Sequence, residues 1–312
     1  MPAPSSASVP TPGTVPTPAT VPTAGPLLPR TGAALAAGLA AVAGAALVLL
    51  LVVAPDGLRS SADPGAPTVP YWHLLLPTAV ALVLVRVLPP RAPTLAPVIA
   101  PGGPGTRRVV VAVAALLTCA AAFPVVVAAT DVAASAAYHL VKIVVVVALP
   151  GLVVLATRGS LRTAWPRAAW RWWAPAVVVL VWTALAQAAP WLRHADYSAY
   201  PTDLLVAAAV ATALTAGVGE ELLYRVWLQT RLEALLGRWG GIAVAALVFA
   251  LMHVGSRHGQ GPLVEVAGAV VVQGLTLGVV AGYLWSRYRN AWLTVALHVL
   301  ANGYVVAAAL LD

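Results

Sequence analysis

Residues 202–228 read TDLLVAAAVATALTAGVGEELLYRVWL. From Leu204 to Gly219 no residue carries a charge, and the run stays largely apolar past Glu220 and Glu221. A helix needs ~20 apolar residues to cross the hydrocarbon core of a bilayer. This stretch therefore reads as a membrane span with two carboxylates inside it. The rest of the chain agrees. Hydrophobic residues make up 61% of its 312 residues and charged residues 9%, against about 25% charged in soluble domains. In water such a chain would expose mostly apolar surface, so the expected fold class is all-α, a polytopic transmembrane helix bundle.

Apolar runs recur at 33–54, 71–88, 109–129, 132–156, 174–191, 202–228, 240–256, 262–285 and 291–311. That predicts nine spans, or eight if 71–88, the weakest, is not one. Residues 1–30 are rich in Pro, Thr, Ala and Ser and cannot bury a core, so they read as a disordered tail. They lack the basic start of a signal peptide. The chain divides into this tail, N-terminal spans over 31–199 with no assigned role, and a C-terminal bundle over 200–312.

The net charge is +8, from 17 Arg and the single lysine, Lys142. The Arg residues stand singly or in pairs between apolar runs, as in short loops at a membrane face. No basic stripe exists to follow a phosphate backbone, so no nucleic-acid partner is expected. Arg91, Arg107, Arg108, Arg158, Arg162, Arg167, Arg171, Arg231, Arg238, Arg287 and Arg289 fall after even-numbered spans. Only Arg59, Arg193 and Arg257 fall after odd-numbered ones. The positive-inside rule then puts the N-terminus in the cytoplasm and the C-terminus outside. The composition is rich in Ala, Val and Arg, with one Lys, which suggests a GC-rich bacterial genome and hence a bacterial plasma membrane.

Three features read as packing. Cys119 stands alone in an apolar run and excludes an intramolecular disulfide and a cysteine-rich metal site. Trp165 to Trp173 carries four Trp with Arg167 and Arg171, an interfacial anchor. Gly274, Gly278 and Gly282 recur every four residues on one helix face, where a neighbouring backbone approaches closely.

A carboxylate in a span costs at least a few kcal/mol and needs a partner or a task. Glu221 and Arg225 are four apart, with Glu on the N-terminal side, a favourable helix ion pair. Glu220 is turned about 100° from Glu221 and is left to face the bundle. Span seven holds Phe249 and His253; span nine holds His298 and Asn302, four apart on one face. His139, beside Tyr138 and Lys142, reads as a histidine bonded to a neighbouring helix. A Glu, two His and an Asn on three helices can move a proton, polarise a water, hold a metal ion or stabilise an oxyanion. Counted from the cytoplasmic ends of their spans, Glu220 lies ~12 Å and His298 ~10 Å deep, but His253 ~20 Å.

Glu220-Glu221-x-x-x-Arg225, Phe249-x-x-x-His253 and His298-x-x-x-Asn302 together resemble the three motifs of the CPBP intramembrane proteases, the CaaX-protease and bacteriocin-processing group also called the Abi family. The resemblance covers residues 200–312. It implies an intramembrane endopeptidase acting on a peptide or protein substrate at the membrane. Glu220 with His253 would activate a water, His298 and Asn302 would stabilise the oxyanion or complete the site, and Glu221, Arg225 and Phe249 would support it. The family has been described both as metal-dependent and as using a glutamate-activated water. Under the first, a divalent ion such as zinc would sit on Glu220, His253 and His298. A bacterial source argues against a prenylated substrate. Two other functions use the same residues: a non-catalytic scaffold or bacteriocin immunity protein that keeps the cluster for structure, and an ion-coupled transporter lined by Glu220, Glu265, Gln273 and Lys142.

Overall fold

A computed structural model describes residues 25–59, 66–90, 96–100, 105–133, 135–163, 165, 167–254 and 261–310. The predicted tail, apart from its last six residues, lies outside these, as do Arg91 and Arg257. Among the described residues there are nine helices: α1 Pro29–Val53, α2 Tyr71–Val87, α3 Gly105–Thr130, α4 Ala137–Ala156, α5 Trp170–Ala186, α6 Thr202–Leu236, α7 Arg238–Met252, α8 Pro262–Tyr288 and α9 Ala291–Ala309. Their number and order match the nine apolar runs. Six of them (α1, α3, α4, α6, α8 and α9) are long and apolar enough to cross a membrane. Two-residue antiparallel ladders, Leu58–Arg59 with Thr68–Val69 and Val98–Ile99 with Leu161–Arg162, trim the connections.

Successive helices run up and down. Leu28 N–H donates to Leu235 O at 2.7 Å, joining the start of α1 to the end of α6. Arg171, opening α5, donates to Tyr288 O at 2.9 Å, and Arg287 in the last turn of α8 donates to Leu88 O at 3.1 Å. These contacts gather the Arg-rich ends on one face. On the other, Tyr71 Oη donates to Ala54 O at 2.7 Å and the His194 and Tyr304 rings stand 6.4 Å apart.

The apolar and polar surfaces are inverted relative to a soluble protein. Large apolar side chains point outward, with Val52 73% exposed and Leu180 67%, while Glu220, Glu221, Arg225 and Gln229 are wholly buried. In a bilayer the outward face needs no water, and the inward polar groups find partners on other helices. Trp165, Trp172 and Trp173 are about half exposed, in keeping with an anchor at headgroup level. The α8 glycines face α7: a Cβ on Gly274 would lie 3.2 Å from Ala250 Cβ, and one on Gly278 3.1 Å from Ala246 Cβ.

Helix α6 departs furthest from expectation. It runs eight residues past Leu228, and Arg231 lies inside it rather than in a loop, its guanidinium donating to Trp227 O at 2.9 Å. The reason is tertiary: Gln229 and Glu233 are buried against α8 and Arg289, which satisfy them where a loop would use water. Arg289, read as a loop cation, is buried too. At 35 residues α6 is ~52 Å long, against ~30 Å of hydrocarbon, so it tilts or projects beyond the core.

Candidate active site

Glu220 and Glu221 stand where two π-helical stretches of α6, Ala213–Glu220 and Leu222–Gln229, meet. Such wide turns often mark functional positions. The glycines before them let other helices close in. A Cβ on Gly217 would stand 2.5 Å from Val299 Cγ2 of α9, and one on Gly219 2.9 Å from Val147 Cγ2 of α4. Glu220 is thus flanked by α4 on one side and α9 on the other.

Lys142 of α4 forms an ion pair through Nζ with Glu220 Oε1. The other oxygen, Oε2, accepts no hydrogen bond among the described residues. It faces His253 Nε2 at 3.9 Å and His298 Nε2 at 3.8 Å. His298 Nδ1 donates to Glu221 Oε1 at 2.9 Å, and Arg225 Nε stands 3.3 Å from Glu221 Oε2, the pair that the four-residue spacing predicts. The two carboxylates thus have different faces, with His298 touching both.

His253 occupies the C-terminal cap of α7, with φ −99° and ψ 8°. Its Nδ1 donates to Phe249 O at 2.8 Å, satisfying a carbonyl that the ending helix leaves free. Because a carbonyl only accepts, Nδ1 carries the proton and Nε2 of the neutral ring is left to accept on the Glu220 side. The ending of α7 thereby aims the imidazole. The expected span 240–256 hid this, since it continued the helix past His253.

Phe249 packs the group together. Its ring lies 4.7 Å from that of His253, 5.7 Å from that of His298 and 5.3 Å from that of Tyr224, with the Arg225 guanidinium 4.8 Å over it. Arg225 is wholly buried, so this ring and Glu221 form much of its environment.

The corrected length of α6 resolves the depth discrepancy. Glu220 is sixteen residues before Leu236, or ~24 Å, and His253 is fifteen after Arg238, or ~22 Å. They are level, and His298 is brought to them by the position of α9. Asn302 is not drawn in: it is exposed, one turn beyond His298, and no hydrogen bond joins it to Glu220. His139 Nδ1 donates to Thr215 Oγ1 at 3.0 Å, a helix-to-helix bond, since that hydroxyl spends its own proton on Ala211 O. Lys142 and Tyr224 were not expected in the site. The signal for Lys142 was present: it is the only lysine and it lies within a span, where a cation needs a counter-ion.

A zinc ion with ligands at ~2.0–2.1 Å in tetrahedral geometry holds them ~3.4 Å apart. The Glu220–His separations of 3.9 and 3.8 Å are longer, and Lys142 places a cation on the same carboxylate. Among the described residues no three His, Cys, Asp or Glu side chains are grouped to hold an ion. As placed, Glu220, His253 and His298 do not fit direct ligation.

Residues 202–304 match the family model described as Rce1-like, type II CAAX prenyl endopeptidase. The matched segment spans α6 to most of α9 and includes Glu220, Glu221, Arg225, Phe249, His253, His298 and Asn302. Six helices are long and apolar enough to cross a membrane, which makes this an integral membrane protein whose C-terminal third is similar to the CAAX-type endopeptidases. No curated protein and no solved structure matches the chain.

Proposed function

We propose that the protein hydrolyses a peptide bond within the membrane by a water that Glu220 and His253 activate. One observation carries this: a buried carboxylate oxygen faces two imidazole nitrogens at 3.8 and 3.9 Å. A water with two ~2.8 Å hydrogen bonds spans that separation at roughly a right angle. It donates one proton toward Oε2 and the other toward His253 Nε2.

The water oxygen attacks the carbonyl carbon of the scissile peptide while its proton passes to Glu220 Oε2. The C=O electron pair moves onto the oxygen. His298, its ring fixed through Nδ1 by Glu221, donates from Nε2 to that oxyanion when Nε2 is protonated. Glu220 then returns the proton to the departing amine nitrogen as the C–N bond breaks, giving a carboxylic acid and an amine. Asn302, exposed one turn further along α9, takes no step in this scheme. His253 is 24% exposed at its side chain while Glu220 and His298 are buried, so substrate and water approach from the end where α7 stops. Partners are the bilayer and a peptide segment entering it. The Arg-rich face is cytoplasmic, which puts the N-terminus inside and the C-terminus outside. No step calls on a metal.

Purified protein in lipid nanodiscs, given a peptide library and read by mass spectrometry, tests this. Wild type produces cuts and Glu220→Gln produces none. Equal cutting by the two proteins refutes the mechanism. A scaffold that keeps the cluster for structure predicts no cuts from either.

A further inference from the structure

The family match begins at residue 202, yet Glu220 takes its charged partner from α4, at Lys142, sixty residues before the match begins. Lys142 is 5% exposed and is the only lysine in a chain with 17 Arg. Its Nζ also stands 3.5 Å from Tyr138 Oη and over the rings of Tyr138 and Phe123, at 5.3 and 5.7 Å. The site therefore has a wall built by α3 and α4.

We infer that Lys142 is a positioning residue for the proposed reaction: it grips Oε1 of Glu220 and so leaves Oε2 as the oxygen turned to the two histidines. This deepens the proteolytic reading and rests on it. A free glutamate side chain rotates about its terminal torsion with little resistance. With one oxygen held by an ammonium, that rotation is stopped and the reacting oxygen is named. The grip also offsets the charge of a carboxylate buried in apolar surroundings. A lysine suits the place better than an arginine, since a compact point charge on a flexible stem engages one oxygen, whereas a guanidinium tends to take both. Just past Lys142 the helix opens into a π-helical stretch, Ile143–Ala148, which contains the Val147 that packs on Gly219. Lys142 and the contact that seats α4 on α6 thus lie within two turns of each other.

Two readouts on the full chain in nanodiscs test the inference. The first is a thermal-stability cycle over Lys142→Met, Glu220→Gln and the double variant. Each single change strands a buried polar partner and lowers Tm. The double variant recovers most of the loss, because the pair is removed together. The second is steady-state cleavage of a peptide that wild type cuts. Lys142→Met lowers kcat by about 10- to 100-fold, the scale of a misplaced reacting group, with KM unchanged. Lys142→Arg, which keeps the charge and guards against a variant that fails to fold, recovers part of kcat.

A double variant no more stable than the worse single one overturns the pairing. Wild-type kcat in Lys142→Met overturns the positioning role. If wild type cuts no peptide, the proteolytic reading fails and the positioning role with it, while the Tm cycle still decides the pair on its own.

Discussion

Helix α6 carries three buried carboxylates, and two of them, Glu220 and Glu233, about four turns apart, are finished differently. Glu233 has both oxygens taken: Gln229 Nε2 donates to Oε1 at 2.7 Å, and Arg289 pairs with Oε2. Two neighbouring donors are used as well, Gln229 Nε2 on Gly282 O at 2.7 Å and Trp285 Nε1 on Thr230 Oγ1 at 3.0 Å. Glu220 has one oxygen paired with Lys142 and one turned to two imidazole nitrogens beyond hydrogen-bond reach. Burial alone does not tell a site from a latch, since both residues are buried. What differs is whether protein groups partner both oxygens of the carboxylate. The Glu233 cluster ties the end of α6 to the α8–α9 corner, and the Glu220 cluster keeps an acceptor for something else.

Three changes sharpen that contrast on the structural side. The largest effect belongs to Glu233→Ala. It leaves the Arg289 guanidinium buried without its carboxylate and costs about 3–5 kcal/mol, read by denaturant or thermal unfolding in detergent. Cleavage per folded molecule stays at the wild-type level. Next is Gly278→Val. Its Cβ would meet Gln273 O at 2.7 Å and Ala246 Cβ at 3.1 Å, so α7 and α8 must separate, for about 1–3 kcal/mol by the same assay. The smallest is His139→Ala, which removes one helix-to-helix hydrogen bond to Thr215 and costs about 1 kcal/mol with cleavage unchanged. A large loss of cleavage in His139→Ala would move that histidine from packing into the site.

Much of this was written in the sequence, for identifiable reasons. Nine apolar runs gave nine helices because apolar length sets bilayer crossing. The Glu221–Arg225 pair followed from helical spacing, and the α8 glycines from their four-residue repeat. The four sites of failure share a cause: they depend on what other helices bring. Residues 229–236 look like a loop because they hold Arg231 and Glu233, and only the burial of Glu233 against Arg289 makes them helix. His253 looks like a mid-helix residue because nothing in Phe249–His253 announces that α7 ends there. Lys142 was set beside Glu220 only in the transporter reading, and in the protease reading it stood with His139, its neighbour in sequence. Asn302, four residues from His298, shares its helix but not its burial, which spacing alone does not reveal.

The contrast stands or falls on cleavage per folded molecule, measured side by side for Glu220→Gln and Glu233→Ala in nanodiscs, with the folded fraction taken from the monodisperse peak. Loss of the base predicts a drop of about 10²- to 10⁴-fold for Glu220→Gln, and none for Glu233→Ala. Equal rates in the two variants, whether both intact or both lost, would contradict the assignment of Glu220 to the chemistry and Glu233 to the frame.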